Sequence, residues 1–243
     1  MEKFKIEIIN PEEVKELFKH WGQFACKCYD TPLKYAERVG KSCLETGHFS
    51  GSRSRYIEID VSNVPRDMID QIIRREQGLV KNVQSARYCD FSKFDYYTPK
   101  VIAKIPEAKE LYDAHMIRTR NTYSELSNIL AKNGITGEKN YEACRGVSPM
   151  SYRSGMVIGI TIEALIEVCH KRLCVRSQEH SRYFIKMVKD AVLEIIPELK
   201  PYLVPSCEYL LWCPEGKRCC GKFPTKEGLL ELIQKGKEIH KND

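Results

Sequence analysis

The chain has 243 residues, with 39 Lys+Arg against 33 Asp+Glu for a formal charge of +6, and eleven cysteines. At 42% hydrophobic and 30% charged residues, its composition is that of a chain with a sizeable buried core, which excludes a disordered polymer. No apolar run approaches the roughly 18–20 residues of a membrane span, and the opening MEKFKIEIINPEE is too charged for a signal peptide.

The first helix is expected at Asn10-Pro11-Glu12-Glu13, where Asn10 is a candidate N-cap, Pro11 fits the first helical position and the acids face the helix dipole. It should run to about His20. A second helix is expected from Thr31-Pro32 to Gly47, with Leu33, Tyr35, Ala36, Val39 and Leu44 available for burial. Tyr56–Val61 alternates apolar and acidic residues, the period of a half-buried strand. Pro65 opens a helix whose Met68, Ile69, Ile72 and Ile73 form one stripe, failing at Gly78. After the extended YCDFSKFDYYTP, whose aromatics read as core or subunit contacts, the strongest helix spans Pro106 to about Lys132, with Gly134 as its C-cap. A strand at Met156–Ile160, helices at Ile162–Leu173 and Glu179–Ile195, a Cys/Pro/Gly-rich turn and a short terminal helix complete the chain. The fold class is α+β, a central mixed sheet flanked by long helices. One domain over 1–205 carries 206–243 as an appendage.

The cysteines are odd in number, and the chain is too long to need staples. They are expected as free thiols in a reducing cytoplasm. Cys207, Cys213 and Cys219-Cys220 are separated by five-residue gaps, unlike the C-x2–4-C pairs of structural zinc sites, so no metal is expected.

Three segments could carry chemistry. In Arg74–Tyr88 an arginine-rich helix end enters a polar loop holding Asn82, Ser85, Ala86 and Arg87. Arginine forks, a hydroxyl and backbone N–H groups together make a phosphate cradle. The other two are Arg145 in CRGVSP and Arg172, six residues before Gln178. A modest positive charge suits a small anionic ligand as well as a nucleic acid.

The joint spacing of these segments resembles the flavin-dependent thymidylate synthases, the ThyX family. That family's Arg-His-Arg, seven residues, Ser-x-Arg appears here as Arg75-Glu76-Gln77, seven residues, Ser85-Ala86-Arg87. The downstream Ala-Arg-x-Val-x-Pro is matched at Arg145, Val147 and Pro149, and a later Arg/Gln pair at Arg172 and Gln178. The tail CEYLLWCPEGKRCCGKFPTK also looks like that of family members. Where the family has histidine and a second arginine this chain has Glu76 and Gln77, and where it has asparagines, Thr161 and Glu167.

The resemblance implies a ThyX-like fold and reductive methylation of dUMP to dTMP, with methylenetetrahydrofolate and NADPH as co-substrates and FAD as cofactor. It places Ser85, Ala86, Arg87 and Arg145 on the nucleotide, and Arg172 beside the uracil as the catalytic group. It places Arg75, Glu76, Gln77, Asn82, Thr161, Glu163 and Glu167 around the flavin. It implies a homotetramer with small-molecule partners, no nucleic acid and no membrane. The alternatives are a pyrimidine-nucleotide hydroxymethylase on the same scaffold and a non-enzymatic nucleotide- or RNA-binding module.

Overall fold

The structure, a computed structural model, describes residues 4–239. They group into two compact units, each discontinuous in sequence: one built on residues up to Glu7 and on Glu58–Gly159, the other on Ile8–Ile57 and everything from Ile160. Residues 206 onward fall in the second unit.

The first unit carries a four-stranded sheet. Its strands are β1 (Lys5–Ile8), β2 (Ile57–Pro65), β3 (Leu79–Val83) and β4 (Arg153–Ile160), in the spatial order β1-β2-β4-β3. The strands are antiparallel. The α+β class is therefore as expected, while the sheet is antiparallel where a mixed one was expected. Strand β2 shows the alternation its sequence announced, with Ile57, Ile59 and Val61 all fully buried. Burying side chains of this size contributes about 1.5–3 kcal/mol each, which fixes the register. The sequence of β3 reads as part of a polar loop. In the fold it is an edge strand buried only at Leu79, so its polar composition reflects its exposure.

The helix Pro106–Lys132 has the predicted bounds and ends at Asn133, followed by Gly134 at φ +78°. Only Met116 and Tyr123 along it are buried. Tyr123 joins Phe91, Phe94, Cys144 and Tyr152 in a compact cluster. The FDYYTP segment is core, as expected, at Phe94 and Tyr97, while the Tyr96 hydroxyl donates to Asp113 at 3.0 Å.

In the second unit the first expected helix is two, Pro11–Lys15 and Leu17–Cys28, broken at Glu16. Asn10 does not cap with its side chain; its amide donates to the Tyr56 carbonyl at 3.1 Å, an alternative open to any short amide at a helix start. The next helix begins later than expected, at Ala36, behind a 3-10 turn at Leu33–Tyr35 that leaves both Leu33 and Tyr35 exposed. The helices Leu17–Cys28 and Ala36–Glu45 meet backbone to backbone. A Cβ on Gly22 would lie 1.6 Å from the Ala36 carbonyl oxygen, and one on Gly40 1.9 Å from that of Phe18. Helices Ile162–Arg172 and Glu179–Ile195 follow, the second with the predicted bounds. The tail holds short helical turns at Ser206–Leu210 and Gly216–Arg218 and a helix from Lys226. No described helix is long and apolar enough to cross a membrane.

Candidate nucleotide and cofactor site residues

The helix Arg66–Ile72 is pinned at its start, where the Arg66 and Asp67 amides donate to the Tyr152 and Met150 carbonyls at 3.0 Å each. Its end is closed by the Lys81 ammonium, which donates to the Ile73 carbonyl. A cation on a free terminal carbonyl is favourable against the helix dipole. Gly78, at φ +69°, turns the chain into β3. Between them, Arg75 folds back so that its Nε donates to the Gln77 carbonyl at 2.8 Å, while Glu76 and Gln77 stay exposed. Asn82 is exposed on β3.

Past β3, Gln84 continues the pairing. Its amide donates to the Gly155 carbonyl at 2.9 Å, and its Oε1 accepts from the Gly155 amide and the Ser154 hydroxyl. The chain then forms a turn in which the Ser85 hydroxyl oxygen accepts the Arg87 amide at 3.2 Å and the Ser85 carbonyl accepts that of Cys89 at 3.0 Å. Ala86 donates its N–H to no described residue. Its methyl packs on the Phe91–Phe94–Tyr123–Cys144–Tyr152 cluster, and Val147 packs on the same cluster. Two of the three predicted segments are thus held against one core, although about sixty residues separate them.

Arg87 forms ion pairs with Glu138 and, at 3.2 Å, with Glu142, both on the helix Glu138–Cys144 that leads directly into Arg145. Glu138 first, then Tyr88 and Glu142, hold the guanidinium in its charged form more firmly than usual. Arg145 is exposed and pairs with no described acid.

Thr161, Glu163, Glu167, Arg172 and Gln178 belong to the second unit. Thr161 is buried, and its hydroxyl accepts the Ala164 amide at 3.3 Å, an N-cap for the helix Ile162–Arg172. Glu163 receives a bidentate pair from Arg53, and Glu167 faces Lys171 at 3.9 Å. Arg172 is the last residue of that helix, half-buried, and Gln178 stands immediately before the next one.

Sequence reasoning missed four residues of this arrangement. Arg53 carried no signal beyond its charge. Glu138 and Glu142 were legible only as an i,i+4 acidic pair. Arg153 is a buried arginine whose guanidinium donates to the Tyr96 and Asn63 carbonyls at 3.1 and 2.7 Å and pairs with Asp95, an organising role.

In an antiparallel α+β architecture, a serine–arginine turn and a second arginine segment are thus seated on one core. Residues 9–198 match the family described as thymidylate synthase complementing protein. The chain is also 31% identical over 189 residues to a flavin-dependent thymidylate synthase of Nitratidesulfovibrio vulgaris (strain Hildenborough), covering 77% of each chain. The chain belongs to this family, as its arginine spacing indicated.

Proposed function

We propose that the protein makes dTMP by reductive methylation of dUMP, with methylenetetrahydrofolate as carbon donor and FAD, reduced by NADPH, as hydride carrier. The observation that carries this reading is the seating of Ser85–Arg87 and Cys144–Val147 on one aromatic cluster. It holds two arginine-bearing segments in fixed register for a dianionic phosphate. The Ser85 oxygen already accepts the Arg87 amide, and its own proton is left to donate to a phosphate oxygen. The Ala86 N–H and the two guanidinium groups complete the cradle.

Arg172 takes the uracil, following the family pattern. A cation beside N3 stabilises negative charge on the ring and so enriches C5 in electrons, an effect worth about 3 kcal/mol in a dry site. No thiol nucleophile is required.

An anionic dinucleotide is compatible with Glu163 and Glu167 because both carboxylates have cationic partners, Arg53 and Lys171. The residues assigned to FAD are Arg75, Glu76, Gln77, Asn82, Thr161, Glu163 and Glu167. Bound flavin supplies the hydride; the protein's groups bind and orient. The same reading makes the protein a cytoplasmic homotetramer. Leu111 and Ile129, 75% and 57% exposed on the long helix, are the apolar surface that subunit contact would cover.

The test is to incubate purified protein with FAD, dUMP, methylenetetrahydrofolate and NADPH and identify the product by mass. The expected product is dTMP, and Arg172→Ala should abolish it without changing the melting temperature. A protein that takes up no flavin and makes no dTMP overturns the reading.

A further inference from the structure

The turn Ser85–Arg87 leaves the sheet at Gln84. In an antiparallel pair, two facing residues can exchange both of their backbone hydrogen bonds. Here the backbone makes only one of the two, from the Gln84 amide to the Gly155 carbonyl at 2.9 Å. The return bond, from the Gly155 amide, goes to the Gln84 side-chain Oε1 at 3.2 Å and not to the Gln84 carbonyl. Oε1 also accepts the hydroxyl of buried Ser154 at 3.3 Å. Two donors on one atom decide the amide's orientation, because its NH2 group in that place would set donor against donor. The Gln84 carbonyl, released from the ladder, accepts from no described residue.

This exchange of side chain for backbone matters because β3 has little else to hold its end. Val80, Lys81 and Asn82 are exposed, so burial does not fix where the edge strand stops. Had the carbonyl closed the pair, Ser85 would continue along β3. With the carbonyl free the chain turns, and the Ser85 carbonyl accepts the Tyr88 and Cys89 amides at 3.3 and 3.0 Å. The far side of the turn rests on the aromatic cluster through Ala86 and Cys89. Gln84 is the fixed point on the near side. Strand β4 has little room to follow a displaced turn, since a Cβ on Gly155 would already lie 3.1 Å from the Val61 carbonyl oxygen.

We propose that Gln84 is a positioning residue of the nucleotide site, a role that rests on the dUMP reading above. Its side-chain oxygen replaces its own carbonyl in the ladder and so sets where the Ser85 hydroxyl, the Ala86 N–H and Arg87 stand for the phosphate. Glutamate shares this reach and this acceptor, whereas asparagine is one methylene short. Gln84 Nε2 donates to no described residue, so the role belongs to the oxygen.

Gln84→Met keeps the chain length and puts a methyl where Oε1 stands. It should raise KM for dUMP roughly tenfold with kcat within about twofold, because a displaced cradle loses binding common to substrate and transition state. Gln84→Glu keeps the acceptor, and salt screens its added charge from the dianion, so at high salt its KM should return to within about threefold of wild type. In protein isotope-labelled at glycine, alanine and arginine, the Ala86 and Arg87 amide signals should shift in Gln84→Met and stay near their wild-type positions in Gln84→Glu. Hydrogen exchange of the wild-type protein tests the bond without any variant, and the Gly155 amide should be protected. An unprotected Gly155 amide, wild-type KM or unmoved turn signals in Gln84→Met, a loss confined to kcat, or equal impairment of both variants at high salt overturns the proposal. A wild-type protein that binds no dUMP sinks the dUMP reading instead, and the turn signals then decide alone whether Gln84 sets the turn.

Discussion

Arg53 grips Glu163 through both carboxylate oxygens, Nε at 2.6 Å and Nη2 at 2.9 Å, across 110 residues of sequence. The guanidinium is largely solvent-facing, its charged form favoured first by the Glu163 hydrogen bond and charge and further by Glu167. Its partners lie on the helix assigned to the flavin. Removing it would leave Glu163 without its cationic partner beside the anionic cofactor proposed there. Arg53→Ala should therefore weaken FAD binding by roughly tenfold, the scale of a lost charged hydrogen bond. Adding Glu163→Gln should recover part of that loss. Flavin fluorescence titration reads both, and an Arg53→Ala protein with wild-type affinity would remove Arg53 from the cofactor's surroundings.

The Arg87 pairs with Glu138 and Glu142 compete with the phosphate that Arg87 is proposed to bind. All three side chains are nearly half exposed, so water and salt screen the pairs and a dianion can displace them. Glu138→Gln combined with Glu142→Gln should tighten dUMP binding by roughly twofold to fivefold, the range an exposed ion pair supplies. Calorimetric titration at low and high salt gives the answer. The advantage of the variant should shrink as salt rises, and weaker binding in the variant would mean that the acids orient Arg87 instead of restraining it.

Elements with strong local signals were legible in the sequence. Pro106 and Gly134 bracket the long helix, and the Ile57–Val61 alternation announced β2, because capping chemistry and burial period are local properties. Strand β3 was not legible, since an edge strand exposes most of its side chains and so reads as a loop. The use of Asn10 on Tyr56 depends on a residue distant in sequence. The same division holds at the site. The spacing of Ser85, Arg87, Arg145 and Arg172 identified the family, whereas the acids and the arginine that balance those charges emerged only when the chain was folded.

Gly22 and Gly40 let two helices approach until each glycine faces a carbonyl oxygen of the other. Alanine at either position would put its methyl carbon within 2 Å of an oxygen (1.6 Å at Gly22, 1.9 Å at Gly40), and backbone cannot yield as a side-chain tip can. Each of Gly22→Ala and Gly40→Ala should destabilise by more than about 3 kcal/mol, above the usual range for overpacking. Gly146→Ala, where the added carbon meets nothing within 4 Å, should leave the melting temperature nearly unchanged. A small effect at Gly22 would mean that the helices separate at little cost.

Cys169 is fully buried, and burial pushes its thiol up to about 12 against an ordinary 9.0, offset only slightly by Lys189. In the unfolded chain this thiol ionises near its ordinary value, whereas in the fold it keeps its proton until near 12. Between those values the unfolded state binds fewer protons, so stability falls as pH rises; below 9.0 the contribution is fully present. Per proton the slope is about 1.4 kcal/mol per pH unit. Burial of Tyr112 and Tyr123 raises their hydroxyls too and adds to the alkaline loss. Urea unfolding measured from pH 8 to 11 should therefore show declining stability, with a shallower slope in Cys169→Ala even though that variant is less stable at pH 8. Native protein should also react with a thiol reagent at exposed Cys28 and Cys220 long before Cys169. An unchanged slope in Cys169→Ala would show that the thiol does not carry this share of the alkaline response.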